Sequence, residues 1–493
     1  MAMRVIGVSS LTRDLGNWRQ DDDSTRRKSA RPAYLALAEG IRLLIHDGRI
    51  PLGVALPSER DLAGALSLSR TTITSTYSVL RDDGYLISRQ GSRSTVALPT
   101  GATPNGLMFH ATVPKPDAPT IDMSYAAMSA PPEVESAYVA AVQALPAYLP
   151  SHGMEPIGIA VLREAIAARF RARGLPTEPE QIMVTLGAQH ALRLLLGALT
   201  SPGERVLIEH PTYPNGIEAI RSTGARPVPV PLRPDAGGAG WDLDGIRSAA
   251  RQTAARLAYL IPDFHNPTGL TMDEAGRIEL CRIARETRMT VVVDESMVDL
   301  SLDLTPPPPV ASFARGGEIV TIGSSSKSFW GGLRVGWIRA NANLITRLAG
   351  ARSAVDLGTP VMDQLATAHL LSTDADKILE VRRHTLRNQR AALLGALAEQ
   401  LPDWQPLHGG GGMSMWVQLP APVSTALAAT APNYGVLLAA GPRFGVEGAF
   451  ERFIRLPFAR NECDLRVAVS GIAAAYEVLA PRSEESDATL VCV

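Results

Sequence analysis

Cysteine is scarce in this chain: three residues in 493, Cys281, Cys463 and Cys492. They stand far apart and without metal-ligand spacing, so a disulfide-stapled fold and a thiolate metal site are excluded and no metal is expected. Long apolar runs are also missing, since no stretch of about 18 apolar residues escapes a charge or a proline, which argues against a membrane span. The N-terminus offers Arg4 and a short apolar patch, but Arg13, Asp14 and Asp21–Asp23 follow at once, unlike a secretory signal. The expectation is a cytoplasmic protein with no membrane partner. Net charge is nearly absent at −1, yet it is unevenly spread. Residues 1–97 carry 14 Lys+Arg against 10 Asp+Glu, a net of +4, and the remainder carries 34 against 39, a net of −5. A mildly basic head on an acidic body suits a small module that meets an anion.

What is present is an ordinary globular composition, 45% apolar and 20% charged, in a chain long enough for two or three domains. Residues 1–30 are polar and arginine-rich and read as a flexible arm, in which Ser9 to Trp18 could form one short amphipathic helix. Residues 31–98 read as a winged helix. Leu35, Ala38, Ile41, Leu44 and Ile45 recur at helical spacing behind Pro32, and Gly48 ends that helix. Ser58 caps a second helix with Leu62, Ala65 and Leu66 on its apolar face, and Ser69 caps a third with Ile73, Tyr77 and Leu80 facing inward. Tyr85–Ile87 and Ser94–Leu98 are strand-like runs around Gln90-Gly91-Ser92, a hairpin. Residues 99–120 hold five prolines and no periodicity, the signature of a linker, and the run Pro306–Pro309 reads as a surface loop. No internal repeat is visible. From 121 to 482, apolar runs (181–186, 205–209, 257–261, 290–294, 318–323) alternate with helical stretches, which argues for a parallel α/β sheet covered on both faces. An α+β portion follows a long helix beginning near Asp374, and 483–493 is a tail.

In a winged helix the third helix enters the major groove with its N-terminal residues at the bases. Here these are Ser69, Arg70, Thr71 and Thr72, with Thr74 one step along; Arg70 can pair bidentately with guanine. Arg60 at the second helix and Arg89 and Arg93 around the wing suit phosphate contacts, and Ser58 and Gly91 beside them count among the DNA-binding residues. Each arginine taken singly could equally be a solvated surface charge, and a winged helix can also serve protein contacts. The motifs Leu56-Pro57-Ser58-Glu59-Arg60-Asp61-Leu62-Ala63, Leu68-Ser69-Arg70-Thr71-Thr72 and Gly84-Tyr85-Leu86-Ile87-Ser88-Arg89-Gln90-Gly91-Ser92 together resemble the GntR family of bacterial repressors.

In the larger part, Val320-Thr321-Ile322-Gly323-Ser324-Ser325-Ser326-Lys327 reads as a strand running into a lysine, with Arg334 seven residues on. Asp294 ends an apolar strand, where α/β folds bind ligands, although a helix N-cap reads the same way. Asn266-Pro267-Thr268-Gly269 follows another strand and could be a plain turn. Gly187-Ala188-Gln189 joins a strand to a helix, where free N–H groups attract phosphate. In this order and together, the set resembles fold-type I aminotransferases over about residues 121–480. That resemblance implies pyridoxal 5'-phosphate (PLP) as cofactor, Lys327 as the Schiff-base lysine, Asp294 on the ring nitrogen and Asn266 on the ring hydroxyl. It further implies Tyr213 stacked on the ring, and Ser324, Arg334 and the backbone N–H groups of Ala188 and Gln189 on the phosphate. Arg455, in Ile454-Arg455-Leu456-Pro457-Phe458, matches the arginine that grips a carboxylate. Two departures stand out: Ser296 and Met297 occupy the place of a tyrosine that bonds the ring oxygen, and His152 replaces one that reaches a partner subunit's phosphate.

A GntR-like head on an aminotransferase-like body resembles the MocR subfamily. The resemblance implies a transcriptional regulator on double-stranded operator DNA, a head-to-tail homodimer whose body senses PLP alone or a PLP–amino acid aldimine. The effector would be PLP or a small carboxylate such as an amino acid, with at most residual transamination. The alternative is a working aminotransferase that carries a DNA-binding head; a third reading, a scaffold that has lost PLP, fits poorly with the retained lysine, aspartate and arginine.

Overall fold

Two serines set the geometry of the head. The computed structural model describes residues 5–16, 18, 32–46, 50, 54–87, 94–97, 120–232, 240–446 and 448–479. Within it, helix α2 (Ala33–His46) buries Leu37, Ala38, Ile41, Leu44 and Ile45. Leu37 takes the inward place expected of Leu35, which is half-buried. Helix α3 (Glu59–Leu66) is capped by Ser58, whose side chain accepts from Asp61 N, and α4 (Arg70–Asp82) by Ser69, which accepts from Thr72 N. Ile73, Tyr77 and Leu80 of α4 close the core, and β1 (Leu86–Ile87) pairs antiparallel with β2 (Thr95–Val96). The short amphipathic helix expected between Ser9 and Trp18 is present, but it packs into the head instead of lying on a flexible arm, and residues 19–31 of that arm lie outside the described residues. Helix α1 (Val8–Leu15) places Leu11 and Leu15, at 0% and 2% exposure, in the same core, and Ile6 N donates to Ala55 O. An eight-residue amphipathic helix has little stability alone, but its leucines gain burial once α2 and α3 offer a surface. The wing tip with Arg89, Gly91 and Arg93, most of the 99–120 linker and the 483–493 tail lie outside the described residues.

The body opens with the short strand β3 (Ile121–Asp122) and continues into a seven-stranded sheet. Its strands are β4 (Ile182–Thr185), β5 (Arg205–His210), β6 (Arg226–Pro231), β7 (Leu257–Leu260), β8 (Thr290–Asp294), β9 (Ile319–Ser324) and β10 (Gly336–Arg339). They lie in the order β4-β10-β9-β8-β7-β5-β6. The five apolar runs of the sequence are all strands of this sheet. Two more strands carried weak signals. β6 alternates proline through Pro227, Pro229 and Pro231, which an edge strand tolerates because one row of its N–H groups needs no partner. β10 runs antiparallel to both neighbours, so the sheet is not uniformly parallel. The connection from β9 to β10 is too short for a helical crossover. Strand alternation splits the apolar side chains between two cores: Val291 and Val293 face one, Val292 the other. Both faces are covered by helices, as continuous apolar strands require.

A smaller α+β unit follows the helix Ala375–Gln400. Strands β11 (Gln405–Leu407), β12 (Ser414–Gln418), β14 (Ala439–Ala440) and β15 (Phe453–Pro457) form its antiparallel sheet, while β13 (Val436–Leu437) pairs in parallel with β3. The third core, built on Met415, Leu456, Ile472 and their neighbours, lies between this sheet and the helices Ala375–Gln400 and Glu462–Leu479. Among the described residues no helix is long and apolar enough to cross a membrane.

Candidate cofactor site and nucleic-acid interface

The C-terminal ends of β4, β5, β7, β8 and β9 bring the expected body residues together. Lys327 follows β9 on the short helix Ser325–Ser328, and its Nζ donates to Ala126 O at 2.6 Å. Burial pushes its amine down to about 8, the Arg455 guanidinium adding to the effect and Asp294 opposing it. Asp294 ends β8, where Tyr259 Oη donates to Oδ2 at 2.8 Å and Ser296 N to Oδ1 at 2.9 Å. Burial raises the Asp294 carboxyl, and the bonds from Ser296 and Tyr259 pull it back.

Tyr213 precedes the helix Pro214–Ser222, and Asn215 Nδ2 donates to its hydroxyl at 3.3 Å. Burial and the nearby Asp294 charge raise that phenol above its ordinary value. Gly187, at φ 89° and ψ 170°, turns β4 into the helix Ala188–Leu199, so the N–H groups of Ala188 and Gln189 begin a helix. Arg334 Nη2 donates to Leu186 O at 2.9 Å, and a Cβ at Gly187 would lie 3.0 Å from that nitrogen. Ser324 Oγ accepts from Ser326 N at 3.1 Å.

Arg455 lies on β15, 6% exposed, with Cζ 5.3 Å from the Phe444 ring centroid and Nη2 donating to Ser124 O. Burial and the neighbouring Arg443 bring its guanidinium down to about 9. Buried polar atoms without a hydrogen-bond partner here include Asn266 Oδ1, Gln189 Oε1, Ser296 Oγ and Arg455 Nε. Buried polar atoms normally find partners, so each of these keeps a bonding capacity that a further group could take up.

Sequence reasoning missed Tyr259, a lone aromatic in the apolar strand β7 whose ring packs under a helix. A Cβ at Gly216 would stand 2.7 Å from Tyr259 Cε1, so glycine there makes room for it. It also missed Glu209, at 1% exposure, which accepts from Trp241 Nε1 and Ile261 N and fixes the turn leading to Asn266. The two departures are explained differently. Met297 packs into the core of the smaller unit, whereas His152 is exposed and accepts from Met154 N through Nδ1.

In the head, Arg60, Ser69, Arg70, Thr71 and Thr74 are exposed, Ser58 and Thr72 half-buried. The Arg70 side chain is 76% exposed, with Nε 4.0 Å from Glu59 Oε2. Thr74 Oγ1 donates to the same Glu59 oxygen at 2.7 Å, so Glu59 ties α3 to the exposed face of α4.

A sheet of this order, with a lysine after β9 and an aspartate ending β8, defines the class of the body. The chain belongs to the aminotransferase class I and II family, whose model matches residues 126–472. Residues 33–96 match the gntR family of bacterial regulatory proteins, and the two together make the chain a MocR-type regulator in architecture. An HTH-type transcriptional regulator of Bacillus subtilis, YisV, is 28% identical over 79% of this chain and 85% of its own length. The 2-aminoadipate transaminase of Thermus thermophilus is 31% identical over 63% of this chain and 76% of its own. Among solved structures, LysN, the alpha-aminoadipate aminotransferase of Thermus thermophilus complexed with N-(5'-phosphopyridoxyl)-L-leucine, matches at a TM-score of 0.65 and 29% identity. That match covers 73% of this chain and 93% of LysN. Homologues with this fold are PLP-dependent.

Proposed function

We propose that the body binds PLP at Lys327 and that its loading sets how tightly the head holds operator DNA. The observation carrying this reading is the donor set around Lys327: a buried carboxylate, an unpartnered amide, a helix N-terminus with Arg334, and a buried guanidinium, all matched to one ligand. Asp294 would hold the ring nitrogen's proton, Asn266 the ring hydroxyl, and Tyr213 the ring face. Ser324, Arg334 and the N–H groups of Ala188 and Gln189 would hold the phosphate, which favours a helix N-terminus. The cofactor, when bound, supplies an electrophilic carbonyl carbon and an electron-withdrawing ring. Arg455 would take the carboxylate of an amino-acid effector as a bidentate fork. The replacement of the ring-oxygen tyrosine by Ser296 and Met297 removes a proton-handling group, which suits sensing better than turnover.

In the head, Ser69, Arg70, Thr71, Thr72 and Thr74 would meet the bases, with Arg60, Arg89 and Arg93 on phosphates and Ser58 and Gly91 at the same DNA-facing surface. Such a regulator works in the cytoplasm as a head-to-tail homodimer whose paired heads meet paired half-sites. Exposed Val139, Val142, Leu149 and Met154 on the body suit contact with a second copy. The deciding experiment measures binding to DNA upstream of the protein's own coding sequence, with and without PLP and a panel of amino acids, in the parent and in Arg455→Ala. Operator affinity indifferent to every addition would sink the regulatory reading.

Two further outcomes are expected. Arg70→Ala should weaken operator binding by about 1–3 kcal/mol and relax specificity at one base, read by titration against single-base operator variants. Equal binding by the variant would displace Arg70 from the groove. PLP uptake by apoprotein should accelerate as pH rises towards about 8 and level off above it, because the Lys327 amine attacks only unprotonated. A rate flat across that rise would mean that this proton does not control uptake.

A further inference from the structure

The segment that joins the head's linker to the body lies across the two cations of the cofactor site. Ile121 N donates to Gly435 O and Met123 N to Leu437 O, both at 2.8 Å, which pins the start of the segment beside β13. Asp122, 5% exposed, accepts from Ser124 N at 2.8 Å and Ser124 Oγ at 2.6 Å through Oδ1, turning the chain inward. Two carbonyls just beyond this turn then meet the cations: Ser124 O accepts from Arg455 Nη2, and Ala126 O accepts from Lys327 Nζ at 2.6 Å.

Met123, 0% exposed, and Ala126 set the segment in the core of the smaller unit, Arg460 Nε donates to Asp122 O at 2.8 Å, and the two charge-assisted bonds add to that hold at its inner end. They are also replaceable. A peptide carbonyl is a neutral acceptor, and it leaves Arg455 Nε buried without a partner. A carboxylate is the stronger acceptor for a guanidinium and can engage two of its N–H groups at once. Any group that takes Arg455 Nη2 or the Lys327 amine therefore takes a bond from this segment.

Resting on the cofactor reading of Lys327 and Arg455, we propose that Asp122–Ala126 is a latch. Its carbonyls compete with the ligand for Lys327 and Arg455, and its release changes how the linker anchors the head. The latch lies at the start of the body, next to the 99–120 linker in the chain, so a change at the ligand site reaches the head's tether directly. No rearrangement of the seven-stranded sheet is needed.

Amide hydrogen exchange of the full chain tests this, read at the Met123 and Ser124 amides in apoprotein before and after adding PLP, with operator affinity measured on the same samples. Exchange at these amides should rise with PLP, which takes the Lys327 bond, and reach about tenfold or more once an amino acid added with it supplies a carboxylate for Arg455, as expected when a segment loses its anchoring bonds. Lys327→Ala should show the rise of PLP alone without any addition. The pair Asp122→Asn/Ser124→Ala, which loosens the turn and keeps both cations, should shift operator affinity in the direction that PLP shifts the parent. Unchanged or slower exchange beside a shifted operator affinity would overturn the latch and leave the regulatory reading standing. Faster exchange with no change in operator affinity would overturn both.

Discussion

Replacing Lys327 by alanine is expected to abolish the visible-to-near-UV absorbance that PLP acquires on binding, and with it any response of operator affinity to the cofactor. The chain has only four lysines: Lys28, Lys115, Lys327 and Lys377. Of these, Lys377 is exposed on the helix Ala375–Gln400, far in sequence from any strand end of the large sheet. Of the two described lysines it is Lys327 that follows a strand end beside Asp294, in a setting that lowers its amine to about 8 and so leaves a useful fraction unprotonated near neutrality. Capture of a carbonyl carbon needs that free electron pair. Absorption spectra of parent and variant, each saturated with PLP and then desalted, give the answer. A band that survives in the variant would move the attachment point to another lysine and undo the site as drawn. Binding of PLP without the band would locate the loss in the covalent bond alone.

The second large effect is expected far from the cofactor. Leu11→Ala should cost the head about 2–5 kcal/mol, the range for deleting a fully buried leucine side chain. Leu11 is 0% exposed and shares a core with Leu37, Ile41, Leu62 and Tyr77. A head that loses so much stability should melt separately from the body and release operator DNA at temperatures the parent tolerates. Thermal unfolding followed with operator binding checks both. A silent Leu11→Ala would return residues 5–16 to the status of a free arm.

These two predictions mark how much could be read early. Lys327, Asp294, Asn266 and Gly187 were legible because each ends or follows a strand, and strand ends announce themselves locally through apolar runs broken by polar or glycine residues. Ser58 and Ser69 were legible for the same kind of reason, since a cap bonds an N–H only three residues away. Tyr259 was not, because its bond to Asp294 joins neighbouring strands, and nothing in a run of buried apolar residues says which of them carries a useful hydroxyl.

The sequence by itself determined the order of the units, a winged helix before a doubly covered α/β sheet, and the chemistry placed at the strand ends. Those follow from periodicity and short-range bonding, which are properties of neighbouring residues. Only the tertiary structure decided that α1 belongs to the head core, that β10 runs antiparallel, and that the segment after the linker bonds Lys327 and Arg455. The partners in that last arrangement stand 201 and 331 positions apart, and their meeting comes from the packing of whole units. Such contacts leave no period in the sequence, because the acceptors are backbone carbonyls that every residue carries.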